Sequence, residues 1–166
     1  WLHAGEASDV SALSYLSHRL LQMDSNAIIV LTSQPSGVLP LRKETGVHHV
    51  DVPGESVTSV QDFLNIWVPH TLIWAGGSLR PTMLRMAANL GVKMKLANSK
   101  ATDFKPKGIR LLPDLTRKNL RLFSELYAVD ESAANQLNRM GVAPNRIKLK
   151  GALQNAAVMP AKSGCW

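Results

Sequence analysis

The sequence predicts an α/β domain built on a parallel sheet of about six or seven strands with helices on both faces. Short apolar runs alternate with amphipathic helical stretches, and the connections between them are short, which is the pattern of strand-helix-strand units. The run Asn26 to Leu31 is apolar for most of its length instead of alternating, as parallel strands covered on both faces are. At 166 residues and 45% apolar content, the chain has material for one full core. Together these features describe a Rossmann-like, doubly wound sheet.

The elements follow in order. Trp1 to Ala4 reads as a first strand, breaking into Gly5-Glu6-Ala7-Ser8-Asp9. A helix from about Ser8 to Gln22 carries Val10, Leu13, Leu16, Leu20 and Leu21 on one stripe, with Ser8 or Asp9 placed to cap it. Asn26 to Leu31 is a buried strand and His48 to Asp51 a shorter one. Pro53-Gly54 turns the chain into a helix near Glu55 to Asn65, and Thr71 to Trp74 returns as a strand ending in Gly76-Gly77. Helices near Pro81 to Leu90, Pro113 to Leu122 and Ser132 to Met140 separate strands at Lys93 to Ala97, Glu125 to Val129 and Ile147 to Lys150. Asn98 to Gly108 is polar, basic and non-periodic. Residues 1–155 form the expected domain, and 156–166 a tail or the start of a linker.

Composition narrows the partners without choosing one. The net charge of +7 suits phosphates, anionic lipid headgroups or nucleic acid, and equally suits lysines and arginines that only solvate helix faces. Nucleic acid ranks last, because aromatic content is 5% and no stacking motif is present. The single cysteine, Cys165, allows neither an internal disulfide nor a cysteine-based metal site. No run is long and apolar enough to span a bilayer. The glycine-rich dinucleotide fingerprint, the P-loop, the zinc-protease helix motif and the serine-hydrolase elbow are all missing, and those activities lose weight accordingly.

Chemistry is expected at the carboxyl ends of the strands, against the helix N-termini that follow. The turn after the first strand offers two carboxylates there, Glu6 and Asp9, as candidates for a general base; Asp9 is equally suited to capping a helix. The stretch Ser33-Gln34-Pro35-Ser36-Gly37 after the second strand presents hydroxyls and amides suited to sugar or phosphate oxygens, or to an ordinary turn. Lys100, Lys105 and Lys107 follow a strand on the same side, where they either meet phosphates or line a surface loop. Gly76-Gly77 permits a close backbone approach, and Ser78 ahead of Pro81 is placed to cap the next helix. His3 reads as a packed strand histidine, since no second ligand stands at metal spacing around it. Asp130-Glu131-Ser132 reads as a helix cap.

These motifs, in this order, resemble the N-terminal domain of the 3-deoxy-D-manno-octulosonic acid (Kdo) transferases. That family reads Trp-x-His-Ala, then Gly-Glu-Val, where this chain has Trp1-Leu2-His3-Ala4 and Ser8-Asp9-Val10. Ser33 to Gly37 is similar to its Thr-x-Thr-Pro-Thr-Gly loop, and Asp51-Val52-Pro53-Gly54 precedes a helix in the same way. Leu79-Arg80-Pro81 stands against Glu-Leu-Trp-Pro, Leu96-Ala97-Asn98 against Val-Asn-Ala, and Gly151-Ala152-Leu153-Gln154 against Gly-Asn-Leu-Lys. Ala4 to Ser8 also resembles a short motif of the lipid A disaccharide synthases. Three family motifs are altered: the glutamate is replaced at Asp9, the second carboxylate at Ser78-Leu79-Arg80, and the asparagine and lysine at Ala152 and Gln154.

The resemblance implies the N-terminal half of a two-domain GT-B glycosyltransferase. It implies an inverting transfer of Kdo from CMP-Kdo to a lipid A precursor, with Asp9 or Glu6 as base and Ser33, Ser36, Gly37, Ser78, Arg80, Asn98 and Lys100 on the acceptor side. CMP-Kdo would be held by a C-terminal domain beyond this sequence, so the fragment alone is expected to be inactive. No cofactor or metal is expected. The location implied is the cytoplasmic face of the bacterial inner membrane, against an anionic lipid surface, either peripheral or anchored by a segment upstream of Trp1. The alternative is a degenerate domain of the same fold that binds anionic lipid or glycan without turnover.

Overall fold

The computed structural model describes residues 1–34, 46–76, 79–104 and 113–153. Seven strands form one sheet, each pair parallel: β1 (Leu2–Ala4), β2 (Ile29–Ser33), β3 (Val47–Asp51), β4 (Thr71–Ala75), β5 (Lys93–Ser99), β6 (Glu125–Ala128) and β7 (Ile147–Leu149). Their order across the sheet is β3-β2-β1-β4-β5-β6-β7. The chain therefore steps outward from β1 in one direction, returns across it, and steps outward from β4 in the other. The reversal lies between β1 and β4, the position at which open α/β sheets leave a crevice for ligands.

Right-handed crossovers send helices of opposite stepping direction to opposite faces. α1 (Ala7–Met23) packs Val10 and Leu13 on Leu2, Ala4, Ile29, Leu31 and Ala75. On the other face, α2 (Val57–Trp67), α3 (Pro81–Asn89), α4 (Pro113–Leu120) and α5 (Glu131–Arg139) pack onto a larger cluster. Leu64, Leu84, Leu120 and Leu137 anchor the four helices against Trp74, Leu96 and Leu126 of the sheet. Asp130 caps α5 by accepting from the Ala133 amide at 2.8 Å, as its position suggested.

Several local expectations are corrected. β2 starts at Ile29, and Ile28, expected inside it, is exposed. α1 is capped by Glu6, not Ser8 or Asp9; Asp9 is the third helical residue and reaches back to the Glu6 amide. α3 has Arg80 at its cap position, and a donor of its first turn, the Thr82 amide, is satisfied by Glu55 at 3.2 Å. The stretch expected to be non-periodic from Asn98 begins as the end of β5 and continues into a 3-10 turn, Ala101–Phe104, whose Phe104 enters the core. Lys105 and Lys107 lie outside the described residues. No helix among the described residues is long and apolar enough to cross a membrane.

Candidate active site

The carboxyl ends of β1 and β4 meet through backbone at which no side chain would fit. Gly5 donates to the Ala75 carbonyl at 2.8 Å, and a Cβ on Gly5 would stand 2.4 Å from the Gly76 carbonyl oxygen. Gly76 has φ +53, and a Cβ there would meet Asp9 Oδ2 at 2.8 Å. The two glycines thus let the ends of β1 and β4 close on each other and on the Asp9 carboxylate.

Asp9 is 1% exposed and hydrogen-bonded at both oxygens. Oδ2 accepts from the Glu6 amide at 3.2 Å, and Oδ1 accepts from Asn98 Nδ2 at 2.6 Å. Asn98 holds φ +54, a conformation asparagine tolerates better than most side chains, and this turns its carboxamide inward at the end of β5. Burial pushes the Asp9 pKa above the usual carboxylate value, and the Asn98 hydrogen bond opposes that rise only in part.

A more exposed pair stands beside it. Lys100 Nζ donates to Glu6 Oε2 at 3.0 Å, with both side chains near 40% exposed. The Lys100 amide donates to Asp103 Oδ2 at 2.8 Å. Hydrogen bonding to Glu6 raises the Lys100 pKa, and burial raises that of Asp103. Glu6, Asp9 and Asp103 place three acidic groups around one ammonium. Among the described residues no three His, Cys, Asp or Glu side chains are placed to hold a metal ion.

His3, on β1, is buried, packs against Trp74 with ring centroids 3.9 Å apart and planes tilted by 47°, and shares a 2.9 Å hydrogen bond with Thr32 Oγ1. Burial, helped by the positive charge of Arg80, lowers its pKa to about 3, so it is neutral at physiological pH. Arg80 pairs its Nε with Glu55 at 3.2 Å and keeps Nη1 buried without a hydrogen-bond partner.

The structure thus gathers Glu6, Asp9, Asn98 and Lys100 into one contiguous group. Ser33 and Arg80 sit on the same carboxyl edge, Ser33 in register with Ala4 and Asp51. Ser36, Gly37 and Ser78 lie outside the described residues. Sequence reasoning missed three participants. Glu55 and Asp103 were buried in unremarkable polar runs, and the third is the Leu153 backbone amide, which donates to Asn98 Oδ1 at 3.2 Å and has no sequence signal at all.

Solved structures share this fold at low identity. The UDP-GlcNAc 2-epimerase of Methanocaldococcus jannaschii matches 91% of the chain with a TM-score of 0.62 at 16% identity. S. aureus MnaA, solved with UDP, matches 92% at 0.62 and 14%, and the Neisseria meningitidis UDP-GlcNAc 2-epimerase, solved with UDP-GlcNAc, matches 91% at 0.58 and 14%. The chain spans 45%, 43% and 44% of those proteins respectively, less than half of each. No curated protein sequence matches the chain. The family model of the 3-deoxy-D-manno-octulosonic-acid transferases (kdotransferases) matches residues 1–156. With that match running through every strand of the sheet and the whole Asp9 crevice, the chain belongs to the Kdo transferase family, as a glycosyltransferase domain of its N-terminal type.

Proposed function

We propose that this domain is the acceptor-side half of an inverting Kdo transferase, with Asp9 as its general base. The observation that carries this reading is the Asp9 carboxylate itself: buried at the switch point of the sheet, at the N-terminus of α1, with its pKa raised by burial. A base works best when its pKa approaches the working pH, and this environment moves Asp9 in that direction. Asp9 would take the proton of an acceptor hydroxyl as that oxygen bonds to the anomeric carbon of Kdo. The bond to CMP breaks in the same step, and CMP leaves with the electron pair. Glu6, more exposed and paired with Lys100, is the second candidate for the base.

In this reading Ser33, Ser36, Gly37, Ser78, Arg80 and Lys100 shape the acceptor site for a lipid A precursor. Lys100 and Arg80 bring positive charge to its phosphates. CMP-Kdo is held by a donor domain outside residues 1–166, so this domain alone performs no transfer. The excess of basic residues, 19 Lys and Arg against 12 Asp and Glu, suits work against the anionic cytoplasmic face of the bacterial inner membrane.

The test is CMP release from CMP-Kdo in a protein that joins this domain to a donor domain, with a lipid A precursor as acceptor. Asp9→Asn is expected to slow release by about 100-fold or more, the contribution of a positioned general base. Release at the native rate in the double variant Asp9→Asn, Glu6→Gln would remove both assignments. One observation favours a second reading, a binding domain without turnover: both Asp9 oxygens already serve protein hydrogen bonds, and the residue is 1% exposed. Acceptor binding with no CMP release in any variant would select it.

A further inference from the structure

Asn98 hydrogen-bonds both the Asp9 carboxylate and the segment leaving the last strand. Its amide nitrogen donates to Asp9 Oδ1 at 2.6 Å, and its carbonyl accepts from the Leu153 amide at 3.2 Å, across 89 and 55 residues of sequence. The segment reaches it by folding back over the carboxyl edge. Lys150 donates to the Ala128 carbonyl at the end of β6, Gly151 takes φ +74, and Leu153 packs into the α1-side cluster with Leu2, Val10 and Ala75. The segment is thus held at Lys150 on β6 and at Leu153 on Asn98, with the Gly151 turn between the two attachments.

We propose that Asn98 is a positioning residue that ties residues 151–153 to the Asp9 carboxylate, so that the placement of this exit segment sets the placement of the carboxylate. A carboxamide suits the task because it offers a donor to an anion at one end and an acceptor to an amide at the other. Leucine or alanine would offer neither. The tie stands on the hydrogen bonds alone; its consequence for catalysis rests on Asp9 being the base. A displacement of residues 151–153 would then reach Asp9 through Asn98.

Three variants of the full chain separate the parts, read by Leu153 amide hydrogen exchange and by the carbon-13 carboxyl titration of Asp9. Asn98→Gly keeps the left-handed backbone available and removes both bonds. Leu153 exchange is expected to accelerate about 10-fold or more, as for an amide that loses a worthwhile hydrogen bond, and the Asp9 midpoint is expected to rise. Asn98→Asp keeps an acceptor for Leu153 and loses the donor to Asp9, so the Asp9 midpoint rises while Leu153 stays protected. Gly151→Val strains the turn where a Cβ meets nothing within 4 Å, and the Asp9 midpoint is expected to move although residue 151 does not touch it.

Unchanged β1 and β4 amide protection establishes that each variant is folded, and if Asn98→Asp does not fold, the other two decide. Native Leu153 exchange in Asn98→Gly would overturn the tie. So would a fixed Asp9 midpoint in Gly151→Val once Leu153 exchange has accelerated. Neither readout needs turnover, so the tie and the base assignment fail separately.

Discussion

Two carboxylates, Glu125 on the sheet and Asp9 in the first turn of α1, are both held by neighbouring donors, and their pKa values move in opposite directions. Glu125, at the start of β6, receives Lys95 at 3.0 Å, Lys148 at 2.6 Å and the Tyr127 hydroxyl at 2.5 Å, and its pKa falls to about 2. Asp9 receives one neutral carboxamide and one backbone amide, and its pKa rises. The difference is solvent and formal charge. Glu125 stays partly hydrated beside two cations, whereas desolvation at Asp9 exceeds what two uncharged donors return. The first arrangement favours ionisation; the second holds an anion at a cost, the environment that the base proposed above would have.

The largest effect is expected at the backbone that encloses Asp9. Gly5→Ala forces a methyl group to within 2.4 Å of the Gly76 carbonyl oxygen and 2.8 Å of the Ala75 carbonyl oxygen, both backbone atoms that cannot swing aside. The β1 and β4 ends must separate, at a cost on the order of 3 kcal/mol. Urea unfolding with an unchanged slope and a lowered midpoint would report it. A native midpoint would mean that the crevice is not closed as described.

Asp9→Asn should have a smaller effect, and an unusual one for a buried polar site. The folded pKa lies above the unfolded value, so the native state binds more protons in the interval between them and stability falls as pH rises through it. Asparagine escapes that loss. Its single carbonyl oxygen can accept only one of the two hydrogen bonds that Asp9 accepts, so the variant is expected to melt somewhat below the native protein at pH 3 and to close that gap by pH 7. A variant that melts well below the native protein at pH 7 but not at pH 3 would reverse the sign and place Asp9 with Glu125 as a stabilising ion.

The architecture was legible because it depends on patterns spread over many residues. The uniformly apolar strands and the stripe of Val10, Leu13 and Leu16 specify layers, and small errors at the ends leave the layers intact. Asp9 and Glu6 were legible as candidates because the turn after a first parallel strand is a functional position in any such sheet. What stayed hidden is what depends on register between distant strands. That Asn98 would turn inward through a positive φ, that Gly76 would back onto Asp9, and that the Leu153 amide would complete the chain of hydrogen bonds all depend on β1, β4 and β5 lying side by side. The division of capping between Glu6 and Asp9 was equally hidden, since Ser8 and Asp9 are both better N-cap residues by composition.

Glu125→Gln sharpens the contrast from the other side and is the smallest effect expected. Its folded pKa is depressed, so the stability it contributes is present above the unfolded value of 4.5 and is lost as pH falls toward about 2. The variant should melt slightly below the native protein at pH 7, and the two should converge at pH 2. Because Lys95 and Lys148 are about 40% exposed, salt screens their attraction, and the gap at pH 7 should also close in 1 M salt. At Asp9 the attraction of Asn98 is to a neutral dipole inside the fold, where salt does not reach. A salt-insensitive gap at Glu125 would show that the carboxylate contributes through the Tyr127 hydroxyl that it accepts from and not through the charge of the two lysines.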